Sequence, residues 1–155
     1  METRDGLSFN CAESVMIGVN REVPLPGFDS SCMRIASILG GGVAGSGEIC
    51  GAVSGASACL GLIYGSDGTE DADEFDRKRT LARSLVNRMI SEFTEEWGTV
   101  RCRFLRAMDK GEMKPAGTAR EQPYAQDRCD EYVAWAAEWI AAITEQVPEP
   151  SEMQV

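Results

Sequence analysis

The sequence contains no histidine. That absence removes His general bases, Ser-His-Asp and Cys-His nucleophile pairs, and zinc sites with imidazole ligands. It also excludes c-type haem attachment, whose C-x-x-C-H motif ends in His. Positive charge is scarce, with 15 Lys and Arg against 25 Asp and Glu, a net charge of −10. Phosphate recognition needs clustered Lys and Arg, so nucleic acid and anionic membrane surfaces are poor partners for this chain. An acidic balance of this size is that of a soluble, self-repelling surface. The longest apolar stretches are Gly-rich and far short of the roughly 20 residues that span a bilayer, so no membrane insertion is expected. The first five residues are too acidic and polar for a secretory leader, and a cytoplasmic location is the default expectation. No C-x-x-C occurs, which removes local zinc-ribbon and thioredoxin motifs. There is no internal repeat at solenoid periods and little strand-like alternation.

What is present reads as helices. A chain of 155 residues with 43% hydrophobic content suits one globular domain. The expected fold is all-α: a compact single-domain bundle of about five to six helices over residues 1–147, with a flexible tail over 148–155. Asn10 followed by Glu13 is a capping box, and Cys11, Val15, Gly18 and Val19 share the face of the helix it starts. A loop with Pro24, Pro26 and Gly27 follows. A short helix should run from Asp29 or Ser30 to Leu39, stopped by Gly40, Gly41 and Gly42. Residues 43–65 are rich in Gly and Ala; propensity opposes a helix there, but the apolar spacing is helical and small residues permit close backbone approach. A buried Gly/Ala helix is expected from about Gly47. Asp71, with Glu74, starts the clearest amphipathic helix, carrying Leu85, Met89, Phe93 and Trp97 and closed by Gly98. Thr99 can cap a short helix through Cys102 and Leu105. Residues 107–124 read as a long loop. The last helix should run from near Ala125 to about Gln146, with Cys129, Val133, Ala136, Ile140 and Ile143 inward. Trp135 and Trp139, four apart on it, could pack together or support a homodimer.

Six cysteines in a reducing compartment point to metal ligands or redox groups rather than structural disulfides. Cys11, Cys50, Cys102 and Cys129 each fall in the first turn of an expected helix. A helix start presents unpaired N–H groups and partial positive charge, both of which favour a thiolate. Arg101 and Arg103 flank Cys102 and should favour its anion further. Cys32 and Cys59 read as core packing, since Cys59 lies about half a turn round the helix from Cys50. A site from the other four must be assembled from four helices.

These residues resemble the C_GCAxxG_C_C family, whose members are described as redox-active. Its signature is a lone cysteine, a CGAxxG block and two further lone cysteines. The matching residues are Asn10-Cys11-Ala12-Glu13-Ser14-Val15, then Cys50-Gly51-Ala52-Val53-Ser54-Gly55, then Cys102-Arg103-Phe104-Leu105 with Asp109, then Cys129. The resemblance spans most of the chain and implies a redox role. An iron–sulfur centre is associated with the branch grouped with multihaem cytochromes; haem itself does not carry over to a chain without His.

Three chemistries suit the four cysteines. Thiolates at Cys11, Cys50, Cys102 and Cys129 could ligate an iron–sulfur cluster for electron transfer with a redox partner protein. Two of them could cycle between dithiol and disulfide without metal. All four could hold a structural zinc in an interaction module. The acidic run at Glu70, Asp71, Asp73 and Glu74 lacks the alternation of an EF-hand, and the glycines of residues 40–51 lack the Lys-Ser/Thr of a P-loop.

Overall fold

The structure is a computed structural model and describes residues 1–114 and 127–148. It begins with a small hairpin, β1 (Thr3–Arg4) and β2 (Leu7–Ser8), paired antiparallel. Sequence patterning found no strand here. The signal is the two-residue turn Asp5-Gly6, where both residues take positive φ, as a primed hairpin turn requires. Six helices follow: α1 (Cys11–Glu22), α2 (Ser30–Ala36), α3 (Gly51–Tyr64), α4 (Ala72–Trp97), α5 (Cys102–Asp109) and α6 (Cys129–Gln146). The fold is all-α, as expected. Among the described residues no helix is long and apolar enough to cross a membrane.

The caps explain most boundaries. Asn10 Oδ1 accepts from Ala12 N and Glu13 N, and Glu13 accepts from Asn10 N, completing the capping box of α1. Asp29 and Asp71 start α2 and α4 by accepting from backbone N–H groups within their first turns. Gly98, at φ 85, closes α4. Three starts differ from the sequence expectation. α3 begins at Gly51 rather than near Gly47, because Ile49 pairs with Arg101 in a β-bridge and holds the chain extended. The same bridge makes Arg101, not Thr99, the cap of α5; Thr99 Oγ1 instead accepts from Arg101 N. α6 starts at Cys129, and the expected start at Ala125 lies outside the described residues. The polar stretch expected as a loop lies partly within α5, and its residues 115–126 are also outside.

α1, α3 and α6 pack on one another, with α4 laid across α3 and α6. The Gly/Ala-rich sequence of α3 serves this packing. A Cβ on Gly55 would stand 2.6 Å from Ala12 O, so α1 and α3 meet backbone to backbone. Val15, Val19, Val53, Leu60, Met89, Phe93 and Ile140 fill the core. Trp97 and Tyr132 meet edge to face at 4.9 Å, and Trp135 stands edge-on to Phe93 at 5.3 Å. Trp139 is buried and donates to Glu92 at 2.6 Å. The two tryptophans of α6 therefore both pack on α4. Cys59 lies in the core as expected; Cys32 borders a small apolar cavity between α2 and α3, beside Leu39 and Ala58.

Candidate redox site

All four expected site cysteines stand at helix starts. Cys11, Cys102 and Cys129 are the first residues of α1, α5 and α6, and Cys50 is the cap residue of α3. The fold brings them together by three devices. The starts of α1 and α3 abut, since a Cβ on Gly51 would lie 3.0 Å from Cys11 Cβ. The Ile49–Arg101 bridge ties Cys50 to Cys102, with Cys50 N donating to Val100 O at 2.8 Å and Cys102 N to Glu48 O at 2.6 Å. Across the α1–α6 contact Cys129 lies close enough to Cys11 for each thiol to shift the other's acidity, while the Cys11 thiol donates to Met1 Sδ at 3.9 Å. Cys50 and Cys102 each lie within electrostatic reach of Cys11. Cys32 and Cys59 stand apart from this group; the cysteine that Cys59 senses is Cys32.

The glycine-rich loop before α3 is the mould for the site. A Cβ on Gly42 would meet Cys102 Cβ at 3.0 Å and Glu48 N at 2.5 Å, and Gly42 itself sits at φ +77. Only glycine meets both demands without strain. The loop then spends its carbonyls on α5: Glu48 O and Gly47 O accept from Cys102 N and Arg103 N.

That detail corrects an expectation. Four helix starts were expected to depress four thiol pKa values, yet only one is lowered. Their N–H donors are largely taken already: by Asn10 at α1, by the loop carbonyls at α5, and by Asp127 Oδ1, which accepts from Cys129 N at 3.0 Å. Cys11 is lowered to about 7, first by the neighbouring Cys129 thiol, against the opposing effect of burial. Cys11 in turn raises Cys129, helped by burial and by the Asp127 carboxylate. Burial pushes Cys50 up to about 12 although Ala52 and Val53 N–H face its sulfur, without forming a full cap bond. Burial also raises Cys102. Desolvation outweighs the helix-start field where the thiol is shut away from water. Arg101 and Arg103 do not relieve this, because both turn to Glu48; the cation that Cys102 senses is Arg106.

Sequence reasoning passed over two neighbours. Asp127 Oδ1 accepts from the N–H of Cys129; an Asp two residues before a helix-start cysteine was the available signal. Tyr132 donates to Asp109 Oδ1 at 2.6 Å, and this buried pair lies just behind the site.

The donors suit an iron–sulfur centre in kind and number: four thiols, with no imidazole to compete. Among the described residues, no three Cys, Asp or Glu side chains stand together in a geometry that would hold a metal ion.

No curated protein and no solved structure matches the chain. The family model described as "Putative redox-active protein (C_GCAxxG_C_C)" matches residues 9–143, a stretch that includes all four helix-start cysteines. The chain belongs to that family.

Proposed function

We propose that the protein is an electron-transfer protein whose centre is an iron–sulfur cluster held by Cys11, Cys50, Cys102 and Cys129. One observation supports the reading: four thiols stand at four helix starts, Cys50, Cys102 and Cys129 each close enough to Cys11 to feel its charge, two of the four buried and two half-buried. Such a cluster supplies one-electron chemistry, tuned by hydrogen bonds to sulfur and by burial. The chain's own part is to hold Cys50 and Cys102 dry beneath the site and to present Cys11 and Cys129 at its rim. Binding would release the protons that now sit on the raised thiols. A redox partner protein would dock weakly and transiently at that rim.

A second reading rests on a different observation. Cys11 and Cys129 shift one another's acidity in opposite directions, with one sulfur favoured as thiolate and the other as thiol. That is the arrangement of a metal-free dithiol couple, Cys11 attacking and Cys129 resolving.

The test is the visible spectrum of protein purified without oxygen, with iron and sulfide analysis, before and after dithionite. Broad thiolate-to-iron bands that bleach on reduction, and fade in single Cys→Ser variants at positions 11, 50, 102 and 129, are the expected result. Protein that stays colourless after iron and sulfide reconstitution, but forms a Cys11–Cys129 disulfide in glutathione buffer, favours the dithiol. Bound zinc without either behaviour excludes both.

A further inference from the structure

Gly61 breaks a local rule. It stands exposed inside α3, where glycine weakens a helix relative to alanine. Two other glycines of α3 have packing reasons: a Cβ on Gly51 would crowd Cys11, and one on Gly55 would crowd Ala12. A Cβ on Gly61 would meet nothing within 4 Å, and its φ lies outside the left-handed region. Neither packing nor backbone conformation requires glycine there. Residues that break such rules concentrate at working sites.

The missing side chain leaves open space on both sides of α3. Toward α2 lies an apolar cavity of about 150 Å³, bordered by Gly61, Cys32, Ile35, Leu39, Ala58 and Leu62. The Cys32 thiol turns to Gly27 O at 3.5 Å, so the side chain enters the lining as a small apolar surface. Ile35, at the mouth, is 63% exposed. An apolar cavity of this size stays dry and accepts a guest of about the size of benzene. Toward α4 lies a wider cleft of about 340 Å³, also bordered by Gly61, whose polar lining is Ser57, Arg83 and Asn87. The Ser57 hydroxyl is spent on Val53 O at 2.8 Å. Arg83 and Asn87 are four apart on α4 and share a face. The two cavities adjoin at Gly61.

Charge identifies the guest. The chain carries a net charge of −10, yet among the described residues no Asp or Glu lines either cavity. The other basic side chains of α4 are occupied: Arg77 and Lys78 by Glu74, Arg88 by Glu92, and Arg79 by the Phe75 ring. Arg83 is exposed and, among the described residues, makes no ion pair or hydrogen bond. A guanidinium without a counter-ion beside an unfilled apolar cavity is complementary to a molecule with an anionic head and an apolar body.

We propose that the cleft over Gly61 binds a small amphipathic carboxylate, its apolar body between α2 and α3 and its carboxylate on Arg83 and Asn87. Gly61 is the floor across which head and body are joined. The site lies about 16 Å along α3 from Cys50, and it depends on no chemistry at the four cysteines.

The experiment is an NMR titration of the full chain with 4-phenylbutyrate and its uncharged analogue 4-phenylbutan-1-ol, for wild type, Arg83→Gln and Gly61→Leu. In wild type both compounds should shift the amides of Cys32, Gly61 and Leu62, and the acid alone should shift those of Arg83 and Asn87. Arg83→Gln should weaken the acid by about fivefold, the most that an exposed ion pair contributes, and leave the alcohol unchanged. Gly61→Leu, which fills the floor, should abolish binding of both while holding or raising the thermal midpoint. Groove amides that stay still at millimolar acid overturn the proposal, as does acid binding that survives Gly61→Leu. Equal affinities of the acid for wild type and Arg83→Gln overturn it too, leaving only an apolar cavity. If Gly61→Leu does not fold, the exposed substitution Arg83→Gln decides alone.

Discussion

Cys11 and Cys129 stand side by side at the starts of α1 and α6, and each thiol drives the other's acidity in the opposite direction. Cys11, lowered to about 7, should therefore be the cysteine most open to alkylation near neutral pH. Peptide-resolved iodoacetamide kinetics should show its rate rising through that pH, while Cys50 and Cys59 stay unreactive until the fold opens. In Cys129→Ala the neighbouring thiol is gone, and the Cys11 profile should move toward that of an ordinary thiol. An unchanged profile would mean that Cys129 does not set its acidity.

Alkali should unfold the protein through its buried thiols. Cys50 and Cys59 are both pushed up to about 12 by burial, whereas in the unfolded chain a thiol ionises near its ordinary value of 9.0. Between those values the unfolded state has lost protons that the folded state retains, so stability falls as pH rises from about 9 to 12. Each group contributes up to the order of 1.4 kcal/mol per unit of separation. Urea midpoints against pH check this: Cys59→Ala, though less stable overall, should show the shallower alkaline decline.

Gly55→Ala should destabilise the fold by roughly 1–3 kcal/mol, since overpacking a tight contact costs that much. The new Cβ would meet Ala12 O at 2.6 Å, and both partners are helix backbone that cannot step aside singly. Gly61→Ala is the control, because a Cβ there meets nothing within 4 Å. Denaturant unfolding of the pair separates close approach from helix propensity, which would make both substitutions stabilising.

Asn10→Ala removes more than a cap. Asn10 Oδ1 accepts from Ala12 N and Glu13 N, while its Nδ2 donates to Ala36 O and Ser37 O, fastening the end of α2 to the start of α1. Loss of the cap alone costs about 1 kcal/mol, and two α2 carbonyls would be released as well. The substitution should lower the urea midpoint more than Asp71→Ala, whose side chain caps α4 by accepting from Glu74 N. Comparable losses would mean that the α2 fastening contributes nothing.

The parts of this fold legible in the sequence are those set by local chemistry. Asn10 with Glu13, Asp71, and Gly98 mark their helix ends because caps act within one turn. The α4 stripe of Leu85, Met89, Phe93 and Trp97 is legible because period alone defines it. The four site cysteines are legible as helix-start residues for the same reason. Their acidities were not, because these depend on contacts distant in the chain: Cys102 N–H is taken by Glu48, and Arg103 turns to the same residue. The late start of α3 is likewise a matter of pairing between Ile49 and Arg101, fifty-two positions apart. Asp109 stood within the family signature, but its burial and its bond to Tyr132 belong to tertiary structure.

The Ile49–Arg101 bridge divides the site into unequal halves. Cys50 and Cys102 are spliced to one another by main-chain hydrogen bonds on either side of that bridge, so their spacing is a property of the backbone. Among the described residues no main-chain bond splices Cys129 to the other three, and it arrives only when α6 docks against α1. As the chain emerges from a ribosome, three thiols are available before the fourth exists. The site is thus finished last, and a complete centre would report that the final helix has reached its place.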